Sequence, residues 1–439
     1  MARSPRGCRA WTAPSGRDRA RARPTGLGYN VGHVVRHRLS ASRGPVTRAG
    51  SGTVNLALGA DEERFRSEAR TWLEEHVEPT PEFASFDEEF AWGRRWQARL
   101  AEGRWVGIHW PVEYGGRGAT PLQVALFNME YARARAPQPV NRTGVNLVGP
   151  TLLAHGEDAQ RSRWLPGILR ADEIWCQLFS EPGAGSDLAG LSTRATAVDD
   201  GWVLEGQKVW TSYAQYSRWG IALVRTDPEA PRHHGITCMA VDMEAPGIEV
   251  RPLVTMTTEA EFNEVFFDEV FVPGDQVIGA VHSGWSVANT TLAHERGTTF
   301  PFKEQVVHEV YLDRLLDLAA TTGSFDDPVV ADQLVDAYVK LRVLRFHNWR
   351  TMTRLAQGIE PGPESSVVKL AWTDMTQQLS DAALAVVGDA SPLWGDADGN
   401  PERGWWQRQW LWSKAASIAG GTSEIQRTII GDRILGLPR

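Results

Sequence analysis

The strongest constraint on the fold is a change of hydrophobic period that occurs twice along the chain. From Asp61 to about Arg170 the apolar residues recur at helical spacing. Phe65, Ala69, Trp72, Leu73 and Val77 share one face, with charges opposite. Gly/Pro punctuation such as PVEYGGRGATP, Pro111 to Pro121, separates these helical segments. Near Ile174 short β-rich runs take over: WVLEGQKVWT, with a tight turn expected at Glu205-Gly206, then GIALVRT, GITCMAVDM, GIEVRPL and NEVFFDEVFVP. After about Gly284 long helices return. Asp327-Pro328 is a capped start for a helix that buries Val330, Leu334, Ala337, Tyr338, Leu341 and Leu344. Another begins at Glu364, turns Val368, Ala371, Trp372, Met375 and Leu379 inward, and stops near Gly388. A last helix follows GGTSEIQR. Helices, then strands, then helices, without βαβ alternation, exclude a doubly wound sheet. The fold class is α+β, with an N-terminal α-helical domain (54–170), a middle antiparallel β-barrel-like domain (171–283) and a C-terminal four-helix-bundle-like domain (284–439).

Composition narrows the function classes. The 439 residues suffice for two or three packed units of ordinary globular composition. No apolar run is long enough to cross a bilayer. Cys8, Cys176 and Cys238 are far apart with no CxxC spacing, which points to reduced thiols in a cytoplasmic setting rather than disulfides or zinc. His233-His234 is too isolated for a metal site. Residues 1–53 hold eleven Arg, no Lys and a single acid, Asp18. The remainder carries 35 Lys and Arg against 53 Asp and Glu, a balance opposite to that of a nucleic-acid binder. The Arg-rich stretch has the composition of a disordered tail, and also that of an organellar transit peptide. The reading preferred here is a start assigned too early, the natural N-terminus lying at Val54, because a GTG codon both encodes valine and starts translation. GLGYNVG, Gly26 to Gly32, lacks the preceding strand and the spacing of a dinucleotide loop.

Two strings carry chemistry: LFSEPGAGSD (Leu178 to Asp187) and GQKVWTS (Gly206 to Ser212). Either alone reads as a plain turn or a core strand. Together, and with IAGGTSEIQR (Ile418 to Arg427), they resemble the acyl-CoA dehydrogenase family, a likeness that extends from Val54 to the C-terminus. The resemblance implies a bound FAD. Gln177, Phe179 and Ser180 would line the flavin ring, and Gly183, Ala184 and Gly185 would admit it closely. Ser186 would touch flavin or the pantetheine arm of the substrate. Trp210 would pack on the ring, with Thr211 and Ser212 near its N5/O4 edge. Thr422 and Glu424 match positions that contact cofactor, sometimes that of a neighbouring subunit.

The family's reaction needs a carboxylate to take the α-proton, a hydride acceptor, and donors for the thioester oxygen. Many members carry the carboxylate two residues before the Thr matched by Thr422, and here that position is Gly420, whose N–H could still serve the thioester oxygen. Other members place a Glu before an Arg on the first long helix of the C-terminal unit. Glu295 and Arg296, within TLAHERGTTF, match that pattern. Glu295 is then the expected base, and Arg296 lies near the substrate. An exposed helix ion pair is the bland alternative, disfavoured by the glycine at 420. His294 is expected to be structural, since helix neighbours point to different sides. Trp405, Trp406, Trp410 and Trp412 are expected to serve packing or a subunit interface rather than a binding cage. TTGSFDDP and VVGDASP lack the Arg and most of the glycines that hold a neighbour's FAD diphosphate, and Asp326 and Asp327 disfavour one. The resemblance implies FAD-dependent α,β-dehydrogenation of an acyl-CoA to a trans-2-enoyl-CoA, in lipid metabolism. Electrons would pass to an electron-transfer flavoprotein, and the protein would be a homo- or hetero-oligomer, dimer or tetramer. A half-site or non-catalytic subunit of a heteromeric dehydrogenase is the second reading, and a flavin oxidase or monooxygenase on the same fold is the third.

Overall fold

The amphipathic stretch after Asp61 forms helix α1 (Ala60–His76), which buries Phe65, Ala69 and Leu73. The computed structural model describes residues 58–438 except 84, 298–299, 357–358 and 360–361; the side chains of 295–297, 300–302 and 355–356 are also outside the described set. The Arg-rich segment and Val54 therefore lie outside the described residues. Helices α2 (Phe86–Glu102), α3 (Pro121–Arg133), α4 (Gly149–His155) and α5 (Asp158–Arg170) complete the first layer. A capping box starts α3, with Gln123 N donating to Thr120 Oγ1 at 3.2 Å and Thr120 N donating to Gln123 Oε1 at 2.9 Å. The seam between α1 and α3 is locked by Glu130, which is 3% exposed and accepts from Arg66, Arg70 and Arg133 at 2.8, 2.9 and 2.7 Å. Burial alone would raise the Glu130 carboxyl; hydrogen bonds from Arg70 and Arg66 and the charge of Arg133 hold it at about 2.

The sheet contains β1 (Trp175–Leu178), β2 (Arg194–Val198), β3 (Gly201–Ser212), β4 (Trp219–Arg225), β5 (Ile236–Asp242), β6 (Ile248–Leu253), β7 (Phe262–Pro273) and β8 (Val277–Ile278). Its order is β6-β7-β3-β2-β4-β5-β8, with β1 also on β4. The ladders are antiparallel except β1–β4 and the single β2–β4 pairing, Arg194 with Arg225, which are parallel. A parallel return needs a long connection, and the β2–β3 hairpin supplies it between β1 and β4. The turn expected at Glu205-Gly206 is instead a bulge within one continuous strand. The β2–β3 reversal falls at Asp199-Asp200, where Val198 pairs with Gly201. Gly206 has φ +147°, the register against β7 shifts beside it, and a Cβ there would lie 2.7 Å from Thr193 Oγ1. This glycine permits a close approach; it does not reverse the chain.

The C-terminal part comprises α6 (Gly284–Gly297), α7 (Phe300–Thr322), α8 (Pro328–Ala356), α9 (Ser365–Val387), α10 (Trp405–Ser413) and α11 (Ser423–Ile429). As expected, α8 starts at Pro328, with the Asp327 carboxylate accepting from Val329 N at 2.8 Å. Val330, Leu334, Ala337, Leu341 and Leu344 are buried. Gly388, at φ +63°, ends α9. The final helix begins inside the GGTSEIQR string, at Ser423, where Thr422 Oγ1 accepts from Ile425 N. Helices α7, α8 and α9 pack on one another, and α10 and α11 lie on α9. Helix α6 packs on β5 and α4 and also touches α7 and α9. Its Thr291 hydroxyl meets that of Thr151 at 2.9 Å, and Thr290 meets His155 Nε2 at 2.8 Å. Val287 and Ala288 of α6 share one hydrophobic cluster with Leu152, Leu165, Trp175 and Ile221, so helical layer, sheet and α6 have a common core. Among the described residues no helix is long and apolar enough to cross a membrane.

Candidate active site

The two diagnostic strings meet where the turn after β1 lies against the second half of β3, an interior strand of the sheet. After β1 the chain closes a tight turn, with reciprocal backbone hydrogen bonds between Glu181 and Ala184 at 3.1 and 3.0 Å. Val209 N donates to Ser180 O at 2.9 Å and ties this turn to β3. Beneath it Lys208 and Glu181, 0% and 3% exposed, form an ion pair. A methyl added to Gly183 or Gly185 would meet nothing within 4 Å, so the loop's outer surface is open to a flat ligand. Ser186 is exposed and Phe179 is buried. Trp210 interrupts β3 in the left-handed region, at φ +60°, and projects 62% exposed, edge-on to Phe262. A bulky residue in that conformation is a costly outlier, and it sits where the strand shifts register against β7. Thr211 turns inward and is fully buried, its hydroxyl without a partner among the described residues.

A cavity of about 400 Å³ opens beside this junction, bordered by Gln177 of β1, Ser212 of β3, His294 of α6 and Gly420, which lies between α10 and α11 at φ +66°. Leu100, Trp105, Val124 and Phe127 give it an apolar sleeve. Four segments of the chain are thus brought to one space. Ser186, Trp210, Thr422 and Glu424 do not line it. Glu424 is exposed and pairs with Arg427, while Thr422 caps α11. Glu295 and Arg296 belong to α6, but their side chains are outside the described residues. His294 lines the cavity. His109 lines the same space, and burial followed by the nearby His294 pushes its pKa down to about 4.

A second cavity, of about 460 Å³, abuts the first. Arg142, Tyr213, Glu261, Lys303 and Glu304 line both. Trp405, Trp406 and Trp412 border the second, and Trp405 packs edge-on to both Tyr311 and Trp406. Sequence reading missed Glu181, Lys208 and Lys303. For the first pair a signal existed: Lys208 has the same strand parity as buried Leu204, and an acid stands in the other string. Lys303 carried none, because the groups around it come from distant segments.

Three family models match in succession: the acyl-CoA dehydrogenase N-terminal domain over residues 59–172, the middle domain over 176–270 and the C-terminal domain over 282–435. The chain belongs to the acyl-CoA dehydrogenase family. It is 41% identical over 388 residues to the acyl-CoA dehydrogenase IpdE1 of Mycobacterium tuberculosis, covering 86% of this chain and 98% of that one. Among solved structures it is similar to the Tcur3481-Tcur3483 steroid ACAD, with TM-score 0.77, 28% identity, and coverage of 88% of this chain and 100% of that one. It is likewise similar to the ChsE4-ChsE5 complex of Mycobacterium tuberculosis, with TM-score 0.75, 30% identity and coverage of 88% and 100%. As an acyl-CoA dehydrogenase it is an oxidoreductase with FAD as cofactor. The open glycine loop and the exposed Trp210 fit a flavin ring. At the α7–α8 turn, Asp326 and Asp327 are exposed and offer a diphosphate no cation of their own.

Proposed function

We propose that the protein dehydrogenates an acyl-CoA thioester at its α,β carbons, giving a trans-2-enoyl-CoA, and passes the electrons to an electron-transfer flavoprotein. The observation that carries this reading is the single cavity that unites Gln177, Ser212 and Gly420 with the helix bearing Glu295. In this reading Glu295 takes the α-proton, kept basic by a poorly solvated site. Gly420 N–H steadies the thioester oxygen, while Arg296 and Ser186 hold the substrate outside the reacting carbons. Gln177, Ser180, Trp210 and Ser212 hold the flavin, with buried Phe179 and Thr211 supporting them from behind, and Thr422 and Glu424 reach cofactor at a subunit boundary. When bound, FAD supplies the two-electron acceptor for the β-hydrogen. Anaerobic titration of the yellow protein with a panel of acyl-CoAs tests the proposal. Absorbance of the oxidised flavin should bleach with a matching acyl-CoA, and no bleaching by any of them sinks it.

A second reading is favoured by Gly420 in place of a glutamate and by the two aspartates at the α7–α8 turn. Here the chain is one half of a hetero-oligomer, with a partner completing the diphosphate site. Two of the similar solved structures are described by pairs of names, in keeping with this arrangement. Protein that is colourless alone and gains flavin with a partner supports this reading. Full occupancy as a homo-oligomer removes it.

A further inference from the structure

Strand β3 carries one residue more than its partner. Lys208 pairs with Val265 and Thr211 with Asn263, so Val209 and Trp210 together stand against the single Glu264 of β7. Such a bulge re-aims a side chain, and its left-handed position is ordinarily a glycine's. Here Trp210 holds that position at φ +60°, a strain that persists only where the surroundings enforce it. Asn263 does the enforcing. Its side chain is fully buried, and Nδ2 donates to Thr211 O at 3.0 Å and to Gln215 Oε1. Gln215 Nε2 donates in turn to Ala260 O at 2.9 Å, and Tyr213 N donates to Glu261 O at 2.8 Å. The chain just past the bulge is thereby strapped to the entry of β7. The clamp has a cost: Asn263 Oδ1 and Thr211 Oγ1 are buried without partners among the described residues. A leucine would avoid the orphaned amide oxygen and release the bulge; the amide keeps both.

We infer that Asn263 is a positioning residue for the flavin reaction, holding the bulge that projects Trp210 and presents Ser212 to the catalytic cavity. Ser212 borders that cavity and Trp210 does not, and the clamped Thr211 stands between them in the chain. Releasing Thr211 O lets Trp210 leave the left-handed region, so both flavin contacts shift together. The inference rests on the placement of Trp210 and Ser212 at the flavin proposed above, and adds the residue that fixes it.

The test compares Asn263→Leu and Gln215→Met, at the two ends of the clamp, with wild type. Fluorescence titration of the flavin-free protein gives FAD affinity, emission of the loaded protein reports the flavin's surroundings, and melting temperature reports the fold. Asn263→Leu should weaken FAD binding about tenfold and brighten the bound flavin, because a displaced indole quenches less. Gln215→Met should shift both readings the same way by less, and it carries the test alone if Asn263→Leu does not fold. Val241→Ala, three strands away on β5, should lower the melting temperature and leave both flavin readings unchanged. Unchanged flavin readings in the clamp variants, or equal changes in Val241→Ala, overturn the inference. Weakened FAD binding in Trp210→Gly with wild-type affinity in Asn263→Leu removes the inference and leaves the flavin placement standing. Wild-type affinity in both removes both. Failure of every acyl-CoA to bleach the flavin refutes the dehydrogenase reading, while the two flavin readings still decide this one.

Discussion

Lys208 Nζ lies 2.8 Å from Glu181 Oε1, and the pair joins the LFSEPGAGSD and GQKVWTS strings. The same ammonium donates to Phe179 O at 3.2 Å and Leu223 O at 2.7 Å. Glu181 accepts from Ser192 N, Ser192 Oγ and Thr193 N at 2.6, 2.8 and 2.9 Å. Burial would raise the Glu181 carboxyl, but Lys208 and these donors hold it at about 2. On Lys208 burial prevails over the attraction of Glu181 and brings the pKa down to about 8. The two shifts have opposite meanings for stability: the carboxylate gains from its setting, and the ammonium is a net burden. Geometry decides for an ionised pair at neutral pH, since the polar atoms of both side chains are met.

Removing one partner should therefore cost more than removing both. Lys208→Met leaves a buried carboxylate uncompensated and should destabilise the protein by about 3–5 kcal/mol. Adding Glu181→Gln should recover part of that loss. Urea unfolding of the single and double variants measures the coupling, and simple additivity would show that the pair acts as two independent charges.

Glu295→Gln keeps the size of the side chain and removes its basicity. Flavin content should stay at the wild-type level while the rate of flavin reduction by acyl-CoA falls by about 10²–10⁴. Stopped-flow absorbance reads both, and a wild-type rate would exclude Glu295 as the base.

Acid should weaken the fold through His109. The ring titrates at 6.5 when unperturbed and at about 4 in the folded protein, so the unfolded chain binds the extra proton between those values. Stability is full above about pH 6.5 and is lost as pH falls toward 4, by up to about 3 kcal/mol. Melting temperatures of wild type and His109→Gln, compared from pH 7 to 5, should converge on acidification. Parallel curves would refute the assignment.

Trp210 is exposed and backbone-strained, so the fold gains little from it. Trp210→Gly should leave the stability of the flavin-free protein unchanged or raise it by about 1 kcal/mol, while flavin is lost more readily on dilution. Equal flavin retention would place the indole outside the cofactor site.

Much of this architecture was legible in the sequence. The start of α8 at Pro328 and its buried face follow from a cap and a repeat, both local signals. The bulge at Gly206 was not, because a glycine that prevents a clash with Thr193 looks the same as one that turns the chain. The candidate site divides in the same way. Gln177 stands just before the first string and Ser212 ends the second, so their neighbours announce them. Lys303 shares a cavity wall with Arg142 and Glu261 only through tertiary packing. That His294 borders the cavity was not legible, because sequence gives the angle between helix neighbours but not where the helix lies in the fold.

The anchoring of α6 has a mechanical consequence. Thr290 and Thr291 fasten it to α4, and its first residue, Gly284, approaches the β5 backbone so closely that a Cβ would lie 2.6 Å from Thr237 C. The helix that carries Glu295 is thus clamped to the layer that holds Ser212, whereas Gly420 rides on the opposite jaw with α9, α10 and α11. A rigid shift of that jaw changes the gap between Gly420 and the base helix while leaving the spacing from the base helix to Ser212 intact. In the proposed reading, alignment of the thioester oxygen, more than placement of the base, is what the seating of α9 governs.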